Sequence, residues 1–259
     1  MNHNTRAELS CRSNLITRVH SAAYLHYLGN CGLDKCDPIL VELFTSEGCS
    51  DCPPADSFLR TLDSTQPVPG AQLIVLEEHV DYWDDLGWRD PFSSHALTGR
   101  QAEYVSRMRL ASAYTPQMVV DGAYQFVGSD RRNATKAFES ARLAQKVGIR
   151  ITSLKLENGM LRAHVESEAV PAKADVLFAL VAERAESQVL RGENGGHSLQ
   201  HVAIVRSLSY LGKAEKGQSF SKDISLELKT VALPGRLIIF LQEPNQGKVL
   251  GAAVQSFQN

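Results

Sequence analysis

Cys49 and Cys52, two residues apart, are the side chains whose type and spacing most directly support chemistry. Sulfurs at that separation can close a small ring, so the pair can hold a disulfide or trade it with a client. The attacking species in such an exchange is the thiolate, which the positive end of a helix favours. Asp51, between the two cysteines, works the other way, because a carboxylate beside a sulfur disfavours its ionisation. The expected chemistry is thiol–disulfide exchange, with one cysteine attacking a substrate disulfide and the other resolving the mixed disulfide.

A second group lies further along the chain: His79, Asp81, Tyr82, Trp83 and Trp88. Here His79 is expected to accept or supply a proton during exchange, with Asp81 orienting its ring. The plainer alternative is packing aromatics and a hydrogen-bonded histidine. A third group runs from Arg191 to His201 and is rich in glycine, with Glu193, His197 and His201. It lacks the Lys-Ser/Thr of a phosphate loop, and reads either as an ordered hairpin loop or as a segment that closes the cysteine cleft. Two metal readings are also open. Cys31 and Cys36 with Cys49 and Cys52 have the sulfur count of a zinc site, and Cys49, Cys52 and His79 suit Cu(I). In the leading reading there is no metal and no cofactor.

These residues need elements to hold them. Ile39 to Phe44 is a short apolar run with β-branched Ile39 and Val41, and reads as a buried strand. Ala55, Phe58, Leu59 and Leu62 recur at helical spacing, and Pro53 and Pro54 lack the N–H a helix interior needs. The helix therefore begins at Pro53, with Cys52 near its cap. Leu73 to Leu76 is a second buried strand, and Asp81 to Gly99 a loop leaving its C-terminal end, where open α/β sheets build sites. A helix is expected over Arg100 to Ala113. A hairpin over Met118 to Val120 and Tyr124 to Val127 turns at Asp121-Gly122, and a last helix spans Arg132 to Lys146.

That order matches a thioredoxin core, in which Thr115-Pro116 falls where the fold carries a cis-proline facing the dithiol. Thr115 and Pro116 are expected to present backbone to a bound sulfur-containing chain, and Trp83 and Trp88 to wall the site with the 81–99 loop. Beyond Gly148 the pattern changes to alternation, with strands expected over Ile149 to Leu156, Met160 to Glu166, Val176 to Glu183, Phe220 to Leu228 and Leu237 to Gln242. The expected fold is α/β: an extension over 1–37, poorly ordered or targeting, a thioredoxin-like domain over 38–148, and a smaller all-β, sandwich-like domain over 149–259.

Bulk properties narrow the partners. A net charge of -2 without a Lys/Arg block gives no reason to expect nucleic acid, and no apolar run reaches the ~18 residues of a membrane span. All five cysteines fall within the first 52 residues, unlike a disulfide scaffold spread through a fold. Leu9 to Leu33 has no acidic residue, yet Arg, His, Ser and Asn interrupt its apolar residues, so no signal-peptide core forms.

The segment Val41-Glu42-Leu43-Phe44-Thr45-Ser46-Glu47-Gly48-Cys49-Ser50-Asp51-Cys52-Pro53-Pro54-Ala55-Asp56 resembles the domain-of-unknown-function 1223 family. The same holds for His79-Val80-Asp81-Tyr82-Trp83, Gly87-Trp88-Arg89-Asp90-Pro91, Arg100-Gln101, the stretch Tyr114 to Gly122, Gly192-Glu193-Asn194-Gly195 and Val205-Arg206-Ser207-Leu208. The resemblance implies a thioredoxin-like fold in bacterial, often exported, proteins, hence a periplasmic or secreted location. It supplies no established reaction. A cytoplasmic location stays open because the chain shows no clear signal peptide. Two functions are carried forward: a thiol–disulfide oxidoreductase acting on a protein or small-molecule thiol or disulfide, and a non-enzymatic module that binds Cu, Zn or a partner protein.

Overall fold

The computed structural model describes residues 37–228 and 234–258. Cys11, Cys31 and Cys36, and the readings attached to the N-terminal extension, lie outside the described residues. Strand β1 (Asp37–Thr45) is buried throughout from Ile39 onward, as an interior strand covered on both faces must be. Helix α1 (Pro53–Thr65) starts with Pro53 and Pro54 in its first two positions and buries Ala55, Asp56, Phe58, Leu59 and Leu62. Strand β2 (Ala71–His79) runs parallel to β1 in register from Asp37↔Ala71 to Thr45↔His79. A turn-rich segment, 81–94, then leads into α2 (His95–Arg107).

Helix α2 begins and ends earlier than the apolar spacing predicts. Its buried face is Leu97, Arg100, Gln101 and Tyr104. Ahead of Arg100 only Leu97 is buried, so apolar period gives no sign of the first turn, His95 to Gly99. A cis peptide bond at Thr115-Pro116 precedes the hairpin of β3 (Gln117–Val120) and β4 (Tyr124–Val127). Helix α3 (Arg131–Ala141) follows, with the Asp130 carboxylate accepting from the Asn133 N–H at its N-terminus.

The remaining strands are β5 (Ile149–Glu157), β6 (Met160–Ser167), β7 (Ala174–Gln188), β8 (Ser198–Ala214), β9 (Ser221–Glu227), β10 (Gly235–Gln242) and β11 (Val249–Phe257). They divide between two sheets. The larger is mixed and eight-stranded, in the order β11-β10-β7-β8-β2-β1-β3-β4. The smaller, β5-β6-β9, is antiparallel, and packs Leu161, Val165 and Ile224 against Val176 and Phe178 of β7 and Ile239 of β10. The protein is thus α/β, with three helices among the described residues.

The strands after residue 148 divide between the two sheets, and β5, β6 and β9 alone make up the smaller one. The other four continue the sheet begun by β1–β4. The seam is β8, parallel to β2 and paired through Glu77↔Ile204. Sequence reading missed β8 because it opens with Ser198, Gln200 and His201, and carries Ala203 at a φ of 50°.

Candidate functional site

Cys49 and Cys52 form a disulfide with Cα atoms 5.4 Å apart. The turn that holds them is closed by the Cys49 N–H donating to the Ser46 carbonyl at 3.1 Å and the Cys52 N–H donating to that of Cys49 at 3.2 Å. Cys52 is the N-terminal cap of α1, and its carbonyl accepts from the Ala55 and Asp56 N–H groups. The cis-proline, Pro116, lies near the first turn of α1. A Cβ on Gly128 would come within 2.6 Å of Leu43, 3.0 Å of Ala55 and 3.1 Å of Pro116. Only a glycine there lets the end of the hairpin bring Pro116 against the first turn of α1.

The segment after β2 lies against this turn. A Cβ on Gly48 would sit 3.0 Å from that of Trp83. The Trp83 indole N–H reaches on to the Thr115 hydroxyl at 2.9 Å, tying the cysteine turn to the residue before the cis-proline. Trp88 donates its indole N–H to Glu47 Oε2 at 2.7 Å.

A second wall comes from the glycine-rich segment between β7 and β8. Asn194 Nδ2 donates to the carbonyls of Glu47 (2.8 Å) and Cys49 (2.9 Å), and Glu193 Oε2 accepts from the Ser50 N–H at 3.0 Å. Gly192, at a φ of 78°, lies against Trp88, where a Cβ would come within 3.1 Å of the tryptophan's own. The result is a lid. Cys49 and Cys52 are 1% and 0% exposed, while Ser50 and Asp51 between them face solvent.

On the face of the sheet that carries α1 lies a buried group of carboxyls and imidazoles. Asp56, one turn into α1, accepts from the Thr45 hydroxyl at 2.6 Å. Burial and the charge of Glu77 push its pKa up to about 7, against the pull of His201, Thr45 and His79. Glu77 accepts at Oε1 from His201 Nδ1 (2.8 Å) and at Oε2 from the Val202 N–H (2.7 Å). Glu47 accepts from the Ser187 hydroxyl and lies 3.3 Å from His201 Nε2. His79 Nδ1 bonds Asp90 Oδ2 at 2.7 Å. Burial alone lowers the pKa of an imidazole, but Glu77 and Glu47 hold that of His201 up at about 11, and Asp90 raises that of His79.

The expected residues therefore separate. Cys49, Cys52, Trp83, Thr115 and Pro116 come together around the disulfide, and Trp88 joins them through Glu47. His79 belongs to the buried group. Asp81 does not orient it: its carboxylate accepts from the Thr98 hydroxyl at 2.5 Å and pairs with exposed His95 at 3.0 Å. Asp90 takes the orienting place, because the chain turns back after Gly87 and returns it to the end of β2. Sequence reading also passed over Glu47, Asp56, Glu77 and Asn194 as site residues. A signal for Glu77 was present, since an acid at the end of an apolar strand is buried only with a partner.

The fold and this site define an α/β protein with a disulfide-forming Cys-x-x-Cys turn that a distant segment of the chain packs against. It belongs to the family described as "Protein of unknown function (DUF1223)", whose pattern matches residues 40–242. It is similar to the crystal structure of protein AGR_C_4864 from Agrobacterium tumefaciens, at 26% identity and a TM-score of 0.66, over 83% of this chain and 92% of that one. Two weaker likenesses bear on nothing further. The sporulation control protein Spo0M from Bacillus subtilis gives 12% identity and a TM-score of 0.31, over 44% of this chain and 49% of that one. A β-glucosidase from Kluyveromyces marxianus gives 11% and 0.28, over 74% of this chain and 18% of that one. No curated protein matches the chain. No helix among the described residues is long and apolar enough to cross a membrane.

Proposed function

We propose that this protein is a thiol–disulfide oxidoreductase with a thioredoxin-like unit over 38–148 and a β-rich, partly sandwich-like unit over 149–259 that supplies a lid. The observation that carries the reading is the Cys49–Cys52 disulfide at the start of α1, beside the turn that Pro116 closes. In the reduced protein one cysteine attacks a client disulfide as thiolate, forms a mixed disulfide and expels the client's other sulfur as thiolate. The second cysteine then attacks the protein sulfur of that mixed disulfide. The client leaves as a dithiol, and the protein is left oxidised by two electrons. Protons released by Cys49 and Cys52 have Asp56 as an acceptor, and a pKa near 7 suits that task. Thr115 and Pro116 supply backbone to the client, and Trp83 and Trp88 form the wall beside it. The client is a protein or small-molecule thiol or disulfide.

Access requires the lid to lift, because both sulfurs are sealed when Asn194 is seated. That same burial supports a second reading, in which the disulfide is a structural clip and the β-rich unit binds a partner. Reduction potential separates the two. An exchanging couple is expected between roughly -270 and -120 mV, whereas a structural disulfide lies below about -300 mV. The oxidoreductase reading also expects Cys52→Ser or Cys49→Ser, whichever removes the resolving sulfur, to trap a mixed disulfide with a client. A potential below the exchanging range, with no trapped species from either variant, overturns it in favour of the clip.

A further inference from the structure

The buried group beside β2 has an open valence that the dithiol chemistry does not use. Among the described residues, Glu47, Asp56, Glu77 and Asp90 stand with two buried basic groups, His79 and His201, and all six are at most 3% exposed. Carboxylates removed from water need compensating charge or hydrogen bonds. His79 Nε2 has neither a hydrogen-bond partner among the described residues nor contact with solvent. Its ring is aimed by the bond from Nδ1 to Asp90, which turns Nε2 toward Glu77 Oε1, 3.9 Å away. The His201 ring stands across from it, with centroids 4.8 Å apart and planes at 76°. His201 Nε2 also lacks a hydrogen bond, although Glu47 is within ion-pair distance. One donor atom each from Glu77, His79 and His201 lies within 4.8 Å of the others.

We infer that Glu77, His79 and His201 form a binding site for one divalent first-row transition cation, separate from the cysteine pair. Two imidazoles and one carboxylate form a set suited to Zn²⁺ or Fe²⁺, whereas Mg²⁺ and Ca²⁺ call for oxygen donors. A cation at the centre replaces the hydrogen bond between Glu77 Oε1 and His201 Nδ1 with two bonds to itself, and draws His79 Nε2 inward. Glu77 Oε2 stays fastened by the Val202 N–H. Asp90 plays the carboxylate behind a ligating histidine, which holds the ring and raises its basicity. The half-buried Phe92 ring packs edge-on against both imidazoles, at 5.3 and 5.5 Å, and closes the site from outside. Because His201 lies on β8 and the other two ligands on β2, the ion fastens the strand that follows the lid to the strand beside the cysteine turn.

The test is titration of the chelator-stripped full-length chain with Zn²⁺ by calorimetry, and with Co²⁺ by absorbance. The expected results are one equivalent bound, Co²⁺ bands typical of nitrogen and oxygen ligands without a thiolate charge-transfer band, and unchanged binding in Cys49→Ser/Cys52→Ser. His79→Gln should abolish binding, and Asp90→Asn should weaken it by roughly 10- to 100-fold. Should His79→Gln fail to fold, Asp90→Asn and the cysteine double variant decide alone. No binding to the wild-type chain, a thiolate band, or loss of binding in the double cysteine variant each overturns the site. The potential of the cysteine couple does not enter this test, so the two proposals stand or fall separately.

Discussion

Glu77 and Glu78 are neighbours in β2, yet they serve two buried networks that differ in kind. Successive side chains of a strand leave opposite faces. Glu78 faces the α2 side, where Arg100 donates from Nε to Glu42 at 2.6 Å, and from its other nitrogens to Tyr104, Gln242 and Gln246. There Tyr104 adds a 2.6 Å bond to Glu42, and burial together with the charge of Glu42 pushes the Glu78 carboxyl well above its usual range. One guanidinium therefore meets one carboxylate and one neutral acid, and the charges close. Glu77 faces the α1 side, where carboxyls outnumber imidazoles and two ring nitrogens have no hydrogen-bond partner among the described residues. The first network fastens α2 to β1, β2 and β10. The second joins the end of β2 to α1 and β8 and holds more carboxyls than imidazoles. The two networks differ in charge balance and not in hydrogen-bond completeness, because both Glu78 carboxyl oxygens also lack a hydrogen-bond partner among the described residues.

Four experiments break or sharpen that contrast. Arg100→Leu removes the partner of a carboxylate that is 0% exposed, and should cost about 3–5 kcal/mol in denaturant unfolding. A loss below about 1 kcal/mol would mean that the α2-side network is not the fastener. Second comes the pH dependence from Asp56. Its folded pKa of about 7 lies above the ordinary 3.8, so between those values the folded chain holds a proton that the unfolded chain has released. Stability should therefore fall as pH rises through that window, and Asp56→Asn should flatten the slope. An identical slope in the variant would remove Asp56 from the network.

Third, Asn194→Ala deletes both hydrogen bonds that seat the lid on Glu47 and Cys49. At about 1 kcal/mol each, the open population should rise roughly 10- to 30-fold. Alkylation of Cys49 and Cys52 in the reduced native protein should quicken by that factor; an unchanged rate would show that access runs elsewhere. The smallest effect is expected from Arg150→Ala, whose ion pair with Glu166 joins side chains 77% and 38% exposed. It should leave the unfolding free energy all but unchanged, a baseline against which the buried substitutions are read.

The sequence was most legible where apolar spacing and chemistry coincide. The strand at Ile39 to Phe44, the helix starting at Pro53, the hairpin around Asp121-Gly122 and the cysteine pair were all visible. It was least legible where polar residues occupy buried positions. His95 to Gly99, the first turn of α2, was read as part of the preceding loop, and His201 made the start of β8 look like a loop. Asp81 looked like the partner of His79 because it is close in sequence, whereas Asp90 is brought in by a turn of the chain.

By itself the sequence determined that a cysteine pair sits between a buried strand and a proline-started helix, since period and N–H count are local properties. It also determined that Thr115-Pro116 precedes a hairpin. Only the tertiary structure decided what covers the sulfurs and what surrounds His79. Those partners, Asn194 on the lid and His201 on β8, lie more than a hundred residues away, and a long-range pairing between polar side chains leaves no periodic trace in the chain that carries it.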